Sequence, residues 1–136
     1  MSSKRVLIMG LSGTGKTTLS KKLSKELNAE HINADEVRSN NDDWDFSLEG
    51  RLRQSRRINK LSLESKKDYV VMDFICPLKE SRKIINADYV IWMDTETRSD
   101  YKDTDSVFVE PDYFDVKFTS KNGFDTEHLV KTILGL

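Results

Sequence analysis

Residues 10–17, Gly-Leu-Ser-Gly-Thr-Gly-Lys-Thr, fit the spacing G-x-x-x-x-G-K-[ST], with the apolar run Val6-Leu7-Ile8-Met9 before them and Leu19, Leu23 and Leu27 after them. A strand entering a glycine-rich turn that opens a helix is the context in which this spacing cradles phosphate. Backbone N–H groups must turn inward around phosphate oxygens, where a Cβ would obstruct them. The first turn of the helix adds unpaired donors and the positive end of its dipole. Lys16 is spaced to reach the β- and γ-phosphates and the Thr17 hydroxyl to bind Mg²⁺. The segment implies a nucleoside triphosphate site.

A chain of 136 residues suits one domain, residues 1–136, with a core of about five strands and helices on both faces. It leaves no length for a separate catalytic module, so the chemistry is expected around the glycine-rich turn. The formal net charge of −1 gives no general case for nucleic acid or an anionic membrane. No apolar stretch approaches the ~20 residues of a membrane span. Met1-Ser2-Ser3-Lys4-Arg5 runs straight into the first strand pattern without a signal peptide, and the single Cys76 has no partner for an internal disulfide. A cytoplasmic protein is expected, with no membrane partner and with the oligomeric state, a homodimer included, left open.

Strand patterns recur at residues 6–9, around His31-Ile32, and at 69–72, 89–93 and 113–118, and helical patterns at 16–27, 48–67, 78–86 and 126–134. The runs at 69–72 and 89–93 are continuously apolar, as in strands buried on both faces, and the alternation predicts a parallel α/β sheet. Pro77 suits the first turn of a helix, where its missing N–H costs little. Residues 94–112 lack either periodicity and read as a loop, with 95–112 a short lid of the kind that closes over nucleotide in small phosphotransferases.

In open α/β sheets ligands lie beyond the carboxyl ends of the strands, which singles out residues 33–38, 73–77 and 94–95. Asp73 and Asp94 each close a run of four apolar residues. Either could hold the Mg²⁺ shell, or simply cap the turn that follows. The helix at 48–67 carries seven basic residues, Arg51, Arg53, Arg56, Arg57, Lys60, Lys66 and Lys67. At ~100° per residue, Arg53, Arg57 and Lys60 share a face with Glu64, the pattern of a solvated surface, while Arg51, Gln54, Ser55 and Ile58 form a partly apolar one. An inward arginine is costly unless it meets an anion, so Arg51 is the better candidate for a substrate phosphate, with an internal salt bridge as the competing explanation.

Taken in order, GLSGTGKTT (10–18), NADEVR (33–38), FSLEGRLRQSRR (46–57) and FICPLKESR (74–82) resemble the motifs GLSGxGKTT, DGDxVR, FSxEDRxxNxRR and FISPYxxxR of the adenylylsulfate kinases. That family phosphorylates the 3′-hydroxyl of adenosine 5′-phosphosulfate with ATP and Mg²⁺ in sulfate assimilation. The resemblance covers roughly residues 5–95. It implies a three-layer P-loop kinase fold, an ATP site at Gly10, Ser12, Gly13, Thr14, Gly15, Lys16, Thr17 and Thr18, and a nucleotide-like acceptor. By position, Asp35 matches the acid that orients the accepting hydroxyl and Mg²⁺, and Arg38 and Arg51 match the arginines on the phosphosulfate end. Gln54 stands for the nearby asparagine, and Phe46, Phe74 and Ile75 for the walls around the substrate adenine. Arg98 stands for the lid arginine that packs on the ATP base. Lys16, Asp35 and Asp73 are the catalytic candidates, with Thr17, Asp35 and Asp73 around the metal.

Four departures touch the substrate side. Asn33 replaces the first aspartate of DGD, Gly50 replaces the aspartate before Arg51, Cys76 replaces the serine of ISPY in the substrate pocket, and Asp73 stands where a small neutral residue is usual. Asp73 is the candidate to take over the metal duty lost at Asn33. Two other readings stay open: a kinase of another small-molecule or nucleic-acid hydroxyl, with Arg53 and Arg57 on the acceptor backbone, and a nucleotide-binding regulator without an acceptor.

Overall fold

The computed structural model describes residues 3–11, 13–95, 107–120 and 126–135. Five strands, β1 (Lys4–Met9), β2 (Glu30–Asn33), β3 (Tyr69–Asp73), β4 (Tyr89–Met93) and β5 (Val116–Phe118), form one parallel sheet in the order β2-β3-β1-β4-β5. The helices are α1 (Lys16–Leu27), α2 (Ala34–Asn41), α3 (Leu48–Glu64), α4 (Lys79–Ile85) and α5 (Thr126–Leu134).

Strand alternation sorts the core into two layers. Val6, Ile8, Val71, Ile91 and Met93 face Leu19, Leu23 and Leu27 of α1 and Leu129 and Ile133 of α5. Their neighbours Leu7, Met9, Val70, Met72 and Trp92 face Val37 of α2, Ile58 of α3 and Ile85 of α4. Each such side chain contributes about 1.5–3 kcal/mol of burial, which is why residues 69–72 of β3 and 89–93 of β4 read as unbroken apolar runs.

Helices α1 and α5 and strand β4 have the expected bounds, and several other elements differ for local reasons. Helix α3 stops at Glu64 rather than at 67, because Ser65 is extended and its hydroxyl donates to Glu30 Oε1 (3.1 Å) while accepting the Lys67 N–H (3.2 Å). Pro77 lies ahead of α4 rather than in its first turn, with Leu78 as the N-cap. Strand β5 begins at Val116, since Asp115 turns its carboxylate to the Val90 N–H (2.7 Å) and its own N–H to the Val90 carbonyl (2.8 Å). Helix α2 was not expected. It carries a single buried apolar residue, Val37, so no periodicity announces it, but the Asn33 side chain caps it by accepting the Glu36 N–H (3.1 Å).

Candidate active site

The glycine-rich turn leaves β1 and passes close to β4. Gly10 has φ +147°, and a Cβ there would lie 2.4 Å from the Met93 carbonyl oxygen, so only glycine lets the chain cross at this point. Two threonines close the turn: Thr14 Oγ1 donates to the Leu11 carbonyl (2.8 Å), and Thr95 Oγ1 donates to the Thr14 carbonyl (2.8 Å). Gly15 is the N-cap of α1, and no side chain caps that helix, which leaves its opening N–H groups available to an anion. They border a cavity of about 350 Å³ lined by Gly13, Gly15, Lys16, Thr17 and Thr18 on one side and by Asn33, Ala34, Asp35, Asp73, Phe74 and Ile75 on the other. Ser12 and Arg98 lie outside the described residues, as does the lid stretch 96–106.

Asp73, at the carboxyl end of β3, is 3 % exposed. Its Oδ2 accepts from Thr17 Oγ1 (2.8 Å) and from Asn33 Nδ2 (2.9 Å), with His31 Nε2 at 3.5 Å. Burial alone would push this carboxyl up. The His31, Thr17 and Asn33 contacts and the Lys16 charge outweigh it and hold the group below the usual carboxylate range. Asn33 is the register partner of Asp73 across β2 and β3. An amide at 33 caps α2 with its oxygen and donates to Asp73 with its nitrogen, whereas an aspartate there would set two carboxylates face to face. This chain thus holds a buried carboxylate at 73 beside Thr17, with an amide at its register partner 33. Asp94, the other candidate, turns away to Lys117 (3.4 Å).

Lys16 is 8 % exposed, and its Nζ donates to the Leu11 carbonyl (2.8 Å). Burial lowers its pKa from the ordinary 10.5 to about 8, against the opposing pull of Asp73 and Asp35. Two pH trends of opposite sign follow. Only the protonated lysine attracts phosphate, so the dissociation constant of AMPPNP should rise about tenfold per pH unit above pH 8. Between pH 8 and 10.5 the unfolded chain holds more protons at this residue than the folded one, so its contribution to stability rises with pH over the same window. Calorimetric binding and thermal melts from pH 6.5 to 10 check both, and an affinity flat through pH 9.5 contradicts the assignment.

A second cavity, of about 50 Å³, adjoins the first and is lined by Ala34, Asp35, Arg38, Phe46, Arg51, Phe74, Ile75 and Pro77. Ala34, Asp35, Phe74 and Ile75 border both. Arg38 and Arg51 are buried at 6 % and 7 % exposure, with their guanidinium carbons 4.4 and 5.4 Å from the centroid of the Phe46 ring. Arg51 Nε donates to the Phe46 carbonyl (2.8 Å), and Arg38 NH1 to the carbonyls of Asp43 (3.0 Å) and Asp45 (3.3 Å). Gln54 is fully buried behind this wall, and its Nε2 donates to the Ala34 carbonyl (2.8 Å). Cys76 is placed elsewhere. It has φ +51°, is fully buried in the core layer under α4, lines neither cavity, and burial pushes its thiol up to about 12.

Arg53 and Arg57 are not the solvated face their spacing suggests. Arg53 Nε pairs with Asp43 Oδ2 (2.7 Å), Arg53 NH2 with Asp45 Oδ2 (3.1 Å), and Arg57 NH1 with Asp43 Oδ2 (2.5 Å). These acids, in the connection between α2 and α3, carry no motif that sequence reading recognises. Their only signal is the run Asp42-Asp43-Trp44-Asp45 opposite a basic helix.

A strand, a glycine-rich turn and an uncapped helix on a parallel 2-3-1-4-5 sheet, with a lysine, a buried acid and a cationic second cavity alongside, define a P-loop small-molecule kinase. The adenylylsulphate kinase family profile matches residues 2–101, and the chain belongs to that family. Solved structures share the fold. A cysteine-to-alanine mutant of the APS kinase CysC of Mycobacterium tuberculosis is 21% identical, covering 98% of this chain and 96% of that one at a TM-score of 0.73. The same Mycobacterium tuberculosis kinase in complex with AMPPNP and APS is 18% identical, with 98% and 96% coverage and a TM-score of 0.74. Shikimate kinase from Acinetobacter baumannii in complex with shikimate is 16% identical, with 97% and 91% coverage and a TM-score of 0.62. Among curated proteins no match is found.

Proposed function

We propose that this kinase transfers the γ-phosphoryl group of ATP to a hydroxyl of a small anionic acceptor, with the 3′-hydroxyl of adenosine 5′-phosphosulfate as the first choice. The observation that carries the reading is the shared wall: Asp35 borders both the cavity beside the glycine-rich turn and the cavity of Arg38 and Arg51. A hydroxyl placed at that wall would meet a carboxylate on its own side and the phosphates on the other. The acceptor oxygen bonds to the γ-phosphorus, the bond to the bridging oxygen breaks to leave ADP, and Asp35 takes the hydroxyl proton. Lys16 and the first turn of α1 balance charge on the phosphates.

Mg²⁺ fits the donors present. Thr17 and Asp73 offer hard oxygens 2.8 Å apart at the cavity floor. The ion ordinarily takes one or two protein carboxylates, with phosphate and water completing its shell. Among the described residues no group of three acids, histidines or cysteines could hold a metal by itself. When bound it neutralises phosphate charge, while Asp73 and Thr17 hold its shell in place.

One observation favours a second acceptor class: the cavity beside Arg38 and Arg51 is small, about 50 Å³, so in this conformation the space there favours a compact anionic acceptor over a whole nucleotide. The pairing of Arg53 and Arg57 with Asp43 and Asp45 speaks against a nucleic-acid backbone as the acceptor. Cytoplasmic residence remains part of the proposal, and no helix among the described residues is long and apolar enough to cross a membrane. Transfer of radiolabelled γ-phosphate, assayed across adenosine 5′-phosphosulfate, anionic polyols, nucleosides and 5′-hydroxyl oligonucleotides, separates the readings. Label in none of them leaves the nucleotide-binding regulator.

Arg51→Ala should raise the acceptor KM by about 30-fold or more, the scale of removing a charged hydrogen-bonding partner from a desolvated site. Arg53→Ala should raise it less, by about tenfold at most, since Arg53 lines neither cavity and holds only the turn of Asp43 and Asp45. Equal effects of the two substitutions contradict the assignment of Arg51 to the acceptor.

A further inference from the structure

The family motif carries an aspartate immediately before the arginine at 51, and this chain has Gly50 there. The space such a side chain would need is already filled. A Cβ built on Gly50 would lie 2.3 Å from the Asp45 carbonyl oxygen, 2.5 Å from Asp45 Cγ and 2.8 Å from Asp45 Cβ. The carboxyl of Asp45 therefore rests directly on the Gly50 backbone at the start of α3. It is pinned there: Oδ1 accepts the Ser47 N–H (2.9 Å), and Oδ2 pairs with Arg53 NH2 (3.1 Å). The Asp45 N–H donates to Asp43 Oδ1 (3.2 Å), and Asp43 is itself held by Arg53 and Arg57.

This anchored turn leads into Phe46, which lines the acceptor cavity, and its backbone holds a cavity arginine. The carbonyls of Asp43 and Asp45 fix Arg38, and the next residue, Phe46, presents its ring to both Arg38 and Arg51 while its carbonyl accepts from Arg51 Nε. We infer that Asp45 is a positioning residue of the acceptor site, supplying from the α2–α3 connection the carboxylate that the family motif carries at position 50. Its charge acts through Ser47 and Arg53 on the turn, and the turn acts on the two arginines. Hydrogen bonds from Ser47 and Arg53 hold the Asp45 carboxyl below its ordinary range, so it stays ionised throughout the neutral range. Restoring the motif by Gly50→Asp is expected to damage the site, because the new side chain collides with the turn.

The inference rests on the reading that Arg38 and Arg51 receive the anionic end of the acceptor, and the test keeps the two apart. Inorganic sulfate is titrated into the AMPPNP-saturated protein, and the arginine Nε–Hε resonances are followed by NMR. Asp45→Ala and Gly50→Ala should each weaken sulfate binding about tenfold, the loss of one charge-assisted hydrogen bond's worth of order. Asp45→Asn, which keeps an oxygen for Ser47, should lose less, and AMPPNP affinity should stay at the parent value in all three. Parental sulfate affinity in Asp45→Ala and Gly50→Ala, with Arg51→Ala still abolishing binding, overturns the role of Asp45. A fall in AMPPNP affinity in step with sulfate in all three variants shows a general structural role and overturns it as well. Sulfate binding that is absent from the parent, or indifferent to Arg51→Ala, overturns the acceptor reading itself and this inference with it.

Discussion

Lys16→Ala should lower phosphoryl transfer by about 10²–10³ or more, the usual loss when a preorganised charge aimed at the transition state is removed, while leaving the protein at least as stable as its parent. The two halves share one cause. Lys16 is 8 % exposed, and its ammonium donates to the Leu11 carbonyl in surroundings that lower its pKa to about 8. A lowered lysine pKa means that the fold holds the charged form at a cost, and that cost is fully present below pH 8, where the group is ionised in both folded and unfolded chains. Alanine removes the cost together with the charge that phosphate would use. A radiolabelled transfer assay paired with thermal melts at pH 7 measures both effects. Parental turnover in the variant rules out the lysine as a phosphate ligand, and a large drop in melting temperature shows that its stem, rather than its charge, is what the fold needs.

The glycine-rich turn was legible because its chemistry demands fixed spacing within eight consecutive positions, and α1 because its leucines repeat at helical intervals. Both are local properties, and the structure places them as expected. Helix α2 escaped because it is held by a cap and one valine, so its evidence is a single asparagine at 33 rather than a stripe. The motif departures were visible in sequence but not interpretable there. Asn33 and Asp73 are 40 residues apart and Thr17 and Asp73 are 56 apart, so that they meet becomes apparent only once β2 and β3 are in register. Gly50 looked like the loss of an acid until the fold set Asp45 upon it. Arg51 was placed by helix phase, because burial on α3 follows the 3.6-residue period. Arg53 and Arg57 were misread as merely solvated because phase says which way a side chain points and nothing about the acidic turn that meets it. Cys76 was assigned to the pocket by alignment alone, and its left-handed backbone turns the thiol into the core instead.

Asp73→Asn should reduce turnover by about 10²–10³ and shift the Mg²⁺ requirement upward. The substitution keeps the shape of the side chain and changes only what it offers. Thr17 and Asn33 both donate to Asp73 Oδ2, and an amide oxygen in that place accepts from them less strongly than the buried carboxylate does and offers Mg²⁺ no charge. The second carboxylate in reach is Asp35, across the cavity and already facing the acceptor wall. Exchanging the residues at 33 and 73 makes the prediction sharp. Asn33→Asp alone should be damaging, because it sets two carboxylates at register partners Asn33 and Asp73, where one must be protonated or displaced. Asn33→Asp combined with Asp73→Asn restores one acid and one amide. The aspartate at 33 can still cap α2 through the Glu36 N–H, and the asparagine at 73 can donate to it across the strands. The double variant should therefore recover most of the turnover lost in either single one, a positive coupling that independent sites do not show. Turnover and Mg²⁺ titrations of the four proteins in this cycle give the coupling directly. Additive losses would mean that the carboxylate must reach Thr17 from β3 and no other strand, so that Asp73 is fixed by position and the asparagine at 33 is only a helix cap.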